Sequence, residues 1–304
     1  MKLKSSLLGA VAVLSLTTGA ALAGYVTPPG ERAGIDLASP LPEGIYFVNL
    51  AGSLGSDRRF TGAVDQTAQL NFDVPVIVWS TPWTLLGGRV ELIAAAPIAE
   101  VGLHRAGVYI GGFYNPYFAA ELAWNLGNGF SIGLLSGGYV PMNSGELGGA
   151  GATNHGALDE QISIAYHSNG WNATANLHDN IVFNQDTMCL SAALGGCAKN
   201  SSAFIYDLGL TKTLGKWEIG AVAFGSFTTS VTNSVANGGR VGSQSQFAMG
   251  GLVGYNFGPV ITQVYLTSDL TTSGYQGGRE TRLWTRVVIP LWNPEAPKVV
   301  AAKY

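Results

Sequence analysis

From about residue 45 onward, apolar and polar side chains alternate with a period of two, in pairs of arms joined by short turns. The clearest pair is 158–183. Ile162, Ile164, Tyr166, Trp171, Ala173, Ala175 and Leu177 share one face, and Gln161, Ser163, His167, Asn172, Thr174, Asn176 and His178 share the other. Two such arms about Ser168-Asn169-Gly170 predict a β-hairpin. Similar alternation predicts a strand from Thr67, with Ala68, Leu70, Phe72, Val74, Val76 and Val78 opposite Gln69, Asn71 and Asp73, turning at Ser80-Thr81-Pro82. Arg89 to Glu100 carries Val90, Leu92 and Ala94 opposite Arg89 and Glu91, and Pro97 marks a kink, bulge or edge. Phe118 to Leu126 opposes Glu121. Phe204 to Leu210 opposes Ile205, Asp207 and Thr211. From Trp217 the alternation weakens, because Val222 and Phe224 fall on the polar face.

The pattern sums to about twelve strands whose connections alternate between tight turns (GNG, SNG, LGK, FGP) and long polar loops, among them 52–59, 141–157 and 230–245. A Gly-rich stretch around Gly107 to Pro116 carries no strand signal of its own. An even strand number with one short-turn end and one long-loop end predicts an all-β fold, a transmembrane antiparallel barrel closed so that no edge meets lipid. Aromatics beside the turns (Trp124, Phe130, Tyr166, Trp171, Trp217, Phe257) fit an interfacial girdle. A secreted β-sandwich also has many short strands and is the competing fold.

Composition sharpens the choice. Glycine supplies 42 of 304 residues and charged residues only 12%, against the ~25% charge typical of soluble domains. No segment after the first is long and apolar enough for a helical span, so apolar surface must be dispersed along strands. A net charge of -3 offers no basic footprint for nucleic acid. Residues 1–23 have Lys2 and Lys4, an apolar run and Ala21-Leu22-Ala23, the layout of a cleaved secretory signal. The chain then divides into an irregular segment 24–44 that could plug a barrel, a barrel 45–292 and a tail 293–304. The bacterial outer membrane is the expected location. Cys189 and Cys197 lie in one polar, Gly-rich stretch, and a loop disulfide is expected in an oxidising compartment.

The candidate lumen-lining residues are Gln69, Asn71, Asp73, Arg89, Glu91, Glu121, Asn172, Asn176, His178, Asp207 and Arg286. A hydrated path and an interior merely filled by side chains both suit them. No metal is indicated, since His104, His155, His167 and His178 are dispersed, and no cofactor motif is present. His167-Ser168-Asn169-Gly170 invites comparison with outer-membrane lipid hydrolases. Adjacent His and Ser on a strand point to opposite faces, however, so no catalytic residue is assigned.

Pro42-Glu43-Gly44-Ile45-Tyr46-Phe47-Val48-Asn49-Leu50 resembles the P-P-G-L-Y-F-L-N-Y opening of the MetA-pathway phenol-degradation family of outer-membrane channels. Arg282-Leu283-Trp284-Thr285-Arg286-Val287-Val288-Ile289-Pro290-Leu291 resembles its R-L-W-L-K-L-T-V-P-F ending. Asn169-Gly170-Trp171 and Gly254-Tyr255-Asn256-Phe257-Gly258 are similar to its inner N-G-W and G-Y-x-F-G turns. The family ends on its aromatic, whereas Leu291 stands here and Trp292 to Tyr304 follow. The resemblance implies a passive channel, not an enzyme, in contact with the lipid bilayer and with small hydrophobic or aromatic solutes. An outer-membrane lipid hydrolase and a structural or adhesive barrel with a filled lumen are the alternatives. The sequence sets no oligomeric state.

Overall fold

A computed structural model describes residues 26–59, 65–103, 108–149, 153, 155–183, 188–191, 196–198, 202–230, 235–236, 239–240, 243–273 and 279–294. The expected signal at 1–23 and most of the tail lie outside them. Twelve antiparallel strands close into a barrel. In chain order the strands are β1 (Gly44–Arg59), β2 (Asp65–Leu85), β3 (Gly88–Ala95), β4 (Ile98–Leu103), β5 (Val108–Phe113), β6 (Tyr117–Gly127), β7 (Phe130–Tyr139), β8 (Ala157–Ser168), β9 (Trp171–Val182), β10 (Met188–Ser191), β11 (Gly196–Ala198), β12 (Ala203–Leu214), β13 (Trp217–Thr228), β14 (Val235–Ala236), β15 (Gly239–Arg240), β16 (Ser245–Asn256), β17 (Ile261–Ser273) and β18 (Glu280–Trp292). Neighbours in the wall run β1-β18-β17-β16-β13-β12-β9-β8-β7-β6-β3-β2, and β1 pairs with β2 to close the ring. A short helix α1 (Gly145–Gly149) lies in the β7–β8 connection.

Turn chemistry fixes one end. Leu86-Gly87, Asn128-Gly129 and Asn169-Gly170 place both residues at positive φ, the type I′ combination whose twist matches a two-residue hairpin. The β2–β3 turn therefore falls at Leu86-Gly87, not at Ser80-Thr81-Pro82. There the strand continues through a register irregularity between Ser80 and Thr84. Three other expectations need correction. Residues 52–59 are not a loop but the outer half of β1, paired with both β2 and β18. The Gly-rich stretch contains β5, which pairs with β4, and β4 continues β3 along β2 beyond the break at Ala96-Pro97. The loop 141–157 includes α1, whose buried Leu147 packs on Ala99, Ile110 and Tyr114.

The outer face carries exposed Trp83, Leu92, Phe118, Leu134, Ile162, Ile164, Leu210, Ile219, Leu266 and Leu283. That band is far larger than an apolar patch water tolerates, and it is what lipid requires. Near the turns Phe130 packs on Tyr166 at 4.6 Å, Trp217 on Tyr255 at 4.7 Å, and Tyr255 on Phe257 at 4.6 Å. The Lys212 ammonium sits 4.9 Å from the Trp171 ring. These rings form the girdle expected at one interface.

Candidate functional site: the barrel interior

The interior is divided into two arcs. Across β1, β2, β3, β6 and β7 the buried inward side chains are mostly hydrocarbon or aromatic, among them Tyr46, Val48, Leu50, Phe72, Val74, Val76, Val78, Ala95, Tyr117, Leu135 and Tyr139, with the polar Ser80, Glu91, Glu121 and Ser131 toward the turn end. Across β8, β9, β12, β17 and β18 they include Asp159, Gln161, Asn176, His178, Asn180, Asp207, Arg282 and Arg286. Residues 26–43 lie inside, held chiefly by the polar arc.

The bonding follows the polarity of the segment's own backbone. Asp207 accepts hydrogen bonds from the amides of Gly30 (2.8 Å) and Arg32 (3.0 Å), and Asn180 Oδ1 accepts from Thr27 (3.1 Å). On the donor side Arg282 Nη1 reaches the Pro29 carbonyl at 2.6 Å, Tyr265 OH the Gly30 carbonyl at 2.8 Å, and Arg286 Nη2 the Glu31 and Ala33 carbonyls at 3.1 and 3.2 Å. Asn176 Nδ2 donates to the carbonyls of Arg32 (2.9 Å) and Ile35 (3.0 Å). An irregular backbone buried this way must satisfy its amides and carbonyls, and ionised partners make the stronger bonds.

Arg32 anchors the segment through its side chain as well. Its guanidinium meets Asp159 at 2.5 Å and also donates to Gln161. Asp159 in turn takes bonds from His178 Nδ1 (3.0 Å), Asn180 Nδ2 (2.7 Å) and Tyr117 OH (2.9 Å). A buried carboxylate with this many donors and one guanidinium is well compensated. Lower down, Asp36 meets His167 Nε2 at 2.7 Å, and Glu91 accepts from the Leu41 amide at 2.8 Å. Glycine makes room at two places. A Cβ on Gly209 would stand 2.5 Å from Gly34 Cα, and one on Gly133 would stand 2.6 Å from the Leu37 carbonyl oxygen.

Of the candidate lining residues, Glu91, Asn176, His178, Asp207 and Arg286 face the interior around the segment. Glu121 is buried directly opposite Glu91. Asn172 bonds Thr211 (3.2 Å), Thr213 (3.1 Å) and His167 (2.9 Å) near the turn end, and Arg89 bonds the Thr81 carbonyl at 2.7 Å. Gln69, Asn71 and Asp73 do not face the lumen. Phe72 and Val74 point inward, Phe72 against Trp284 at 5.2 Å. The polar alternates bond along the outer face, Asp73 to Asn49 at 2.7 Å and Asn71 to Ser53 at 2.8 Å. Period two defines two faces without saying which is inside, and on β2 the apolar one is. Sequence reasoning also missed Arg32, Asp159 and Arg282. Asp159 shares the parity of Gln161, and Arg282 that of Arg286, so extending each polar series by one step would have found both. His167 is engaged by Asp36 and Asn172 and Ser168 lies at the turn, so no hydrolase arrangement is formed.

The match to the family described as MetA-pathway of phenol degradation covers residues 54–287. The chain belongs to this family. Among solved structures it is similar to one described as the COG4313 outer membrane channel from Pseudomonas putida F1, at 14% identity and a TM-score of 0.66, covering 86% of this chain and 99% of that one. It is also similar to the translocator domain of the autotransporter NalP from Neisseria meningitidis, at 12% identity and a TM-score of 0.50, covering 82% and 89%. No curated protein sequence matches it. At these identities the structural likeness carries the fold, an outer-membrane barrel.

Proposed function

We propose that the protein is a passive outer-membrane channel for small hydrophobic or aromatic compounds. The observation that carries this reading is the division of the lumen. Residues 26–43 are bonded mainly to the polar arc; on β1, β2 and β3 Tyr46, Ser80 and Glu91 bond its last residues, and the Val48, Leu50, Val74 and Val76 side chains leave hydrocarbon beside the rest. A path along that arc suits apolar solutes, which need no partners there and lose little by leaving lipid. The family's description supports an aromatic substrate class. The barrel is read as a channel and not an enzyme, in keeping with the channel it resembles. Residues 1–23 would direct export and be removed, the tight turns would face the periplasm, and 24–44 would act as the internal plug. Cys189 and Cys197 stand directly opposite each other on the β10–β11 hairpin, at a backbone separation that suits a disulfide, which we assign to an external loop.

One observation favours a second reading. The segment makes so many bonds that the barrel could be a sealed structural element. Solute uptake into vesicles with a lipopolysaccharide outer leaflet decides between them. A channel passes small apolar compounds faster than protein-free vesicles do, and a sealed barrel does not.

A further inference from the structure

On the lipid-facing side of the wall a groove of about 790 Å³ crosses from β3 to β12. It exists because Ala120 and Ser136, directly opposite each other on β6 and β7, are too small to fill the outward row they occupy. The next outward row is bulky, with Leu122, Leu134, Ile162 and Leu177 in register on four neighbouring strands. Leu85 and Val90 lie at the tight-turn end of the groove and Phe204 at the loop end, where it packs on Phe227 at 5.3 Å. Between Ser136 and Phe204 the small row passes through Glu160 and Asp179, which stand directly opposite each other. Neither acid has an ion-pair partner among the described residues. Glu160 is exposed and takes a hydrogen bond from Ser136 Oγ at 2.7 Å. Asp179 has Thr229 beside it, yet its Oδ1 is buried with no hydrogen-bond partner.

Like charges directly opposite on paired strands are destabilising, and charge on a lipid face costs more the deeper it lies. The groove itself faces bilayer hydrocarbon, and an acyl chain is what fills it there. A second copy of the barrel presents a convex wall that does not follow a groove. The acids add a demand for hydrogen-bond donors at the head of that chain. Ester-linked phospholipids offer only acceptors at that depth, their ester carbonyls. An amide-linked hydroxyacyl chain on a glucosamine head offers both an N–H and an O–H. We propose that the groove docks one such chain of a glucosamine-based lipid of the outer leaflet, with Glu160 and Asp179 accepting from its amide and hydroxyl groups. The placement rests on the outward orientation of the long loops proposed above and does not depend on solute passage.

The test uses the purified full-length mature protein in detergent with EDTA, and native mass spectrometry with lipid A, phosphatidylethanolamine and phosphatidylglycerol as probes. We expect one lipid A to be retained about ten-fold more tightly than either phospholipid, the factor one hydrogen bond to a charged group supplies. Equal retention of the three, or preference for a phospholipid, overturns the proposal without any variant. Glu160→Leu combined with Asp179→Leu should bring lipid A down to the phospholipid level. Ala120→Trp, which fills the groove, should abolish its retention, while Leu283→Trp elsewhere on the lipid face changes nothing. Heat-modifiable gel mobility checks that each variant is folded. Lipid A that stays bound in Ala120→Trp, or a protein dimer that this variant dissociates in place of lipid binding, overturns the site. Retention seen only when EDTA is left out overturns the direct contact and makes the acids ligands of a bridging cation. Solute uptake without lipid A retention defeats this site alone, and retention without uptake defeats the channel reading alone.

Discussion

The two arcs of the interior show how one barrel wall can serve two purposes. On the polar arc the side chains are ionised or amide-bearing, interlocked, and committed to a particular stretch of backbone. Asp207 reads two of its amides, and Arg282 and Arg286 read its carbonyls. On the hydrocarbon arc Val48, Leu50, Val74, Val76 and Val78 repeat without any directional bond. Directional groups hold the segment in one place, and hydrocarbon leaves room beside it. The groups that hold the segment and the hydrocarbon that leaves room beside it thus lie on opposite sides of the lumen.

Removing the directional side should have the largest effect. Asp207→Ala strips two amides and a neighbour of His178, and breaking buried charged interactions of this kind costs ~3–5 kcal/mol. Hydrogen exchange over 27–36 should rise by roughly two to three orders of magnitude, with the barrel ladders unchanged. Protection that persists would mean that packing, and not Asp207, holds the segment.

The acidity of Glu31 gives a second handle. Burial raises its carboxyl from the ordinary value to about 7, Arg32 opposes the rise, and Asp207 adds to it. A carboxyl whose docked value lies above its free value is protonated on docking, so docking is favoured at low pH and weakens as pH climbs through about 7. Segment protection should fall at least about ten-fold between pH 5 and pH 8. His178 and Asp159 also face this carboxyl, so the control is Glu31→Gln, which should flatten that part of the slope. An unchanged slope would assign the effect to those neighbours.

How much of this was legible in advance depends on the kind of signal. Strand pairing, turn positions at Asn128-Gly129 and Asn169-Gly170, and the inward set from Asn176 to Asp207 follow from alternation and turn chemistry, which are local. The direction of β2 is not local. Gln69, Asn71 and Asp73 look like lumen residues until Phe72 is seen against Trp284, a partner on another strand. The segment 26–43 has no periodicity because its conformation is set by what the wall offers. Its Arg32 could not be assigned a role before Asp159 was placed beside it.

Thinning the hydrocarbon arc should act on the barrel and spare the plug. Val74→Ala and Val76→Ala each remove about 1.5 kcal/mol of buried hydrocarbon, which urea unfolding in vesicles would register, with exchange over 27–36 unchanged. Loss of segment protection in these variants would erase the contrast between the arcs. The smallest effect belongs to the β10–β11 hairpin, outside both arcs. Mass spectrometry of the unreduced protein should show Cys189 joined to Cys197, and Cys189→Ser should shift barrel unfolding by under ~0.5 kcal/mol. Two free thiols would refute the pairing.

The central claim is that solute passes along the hydrocarbon arc. Uptake should be compared in vesicles with a lipopolysaccharide outer leaflet, because small aromatic compounds cross plain phospholipid unaided. The solutes are phenol and a sugar of similar size, and the proteins are the wild type and Val76→Trp, which fills the arc. The account predicts phenol uptake above the protein-free rate, little sugar uptake, and loss of the phenol rate in Val76→Trp. A phenol rate equal to that of protein-free vesicles would contradict it and leave a sealed barrel.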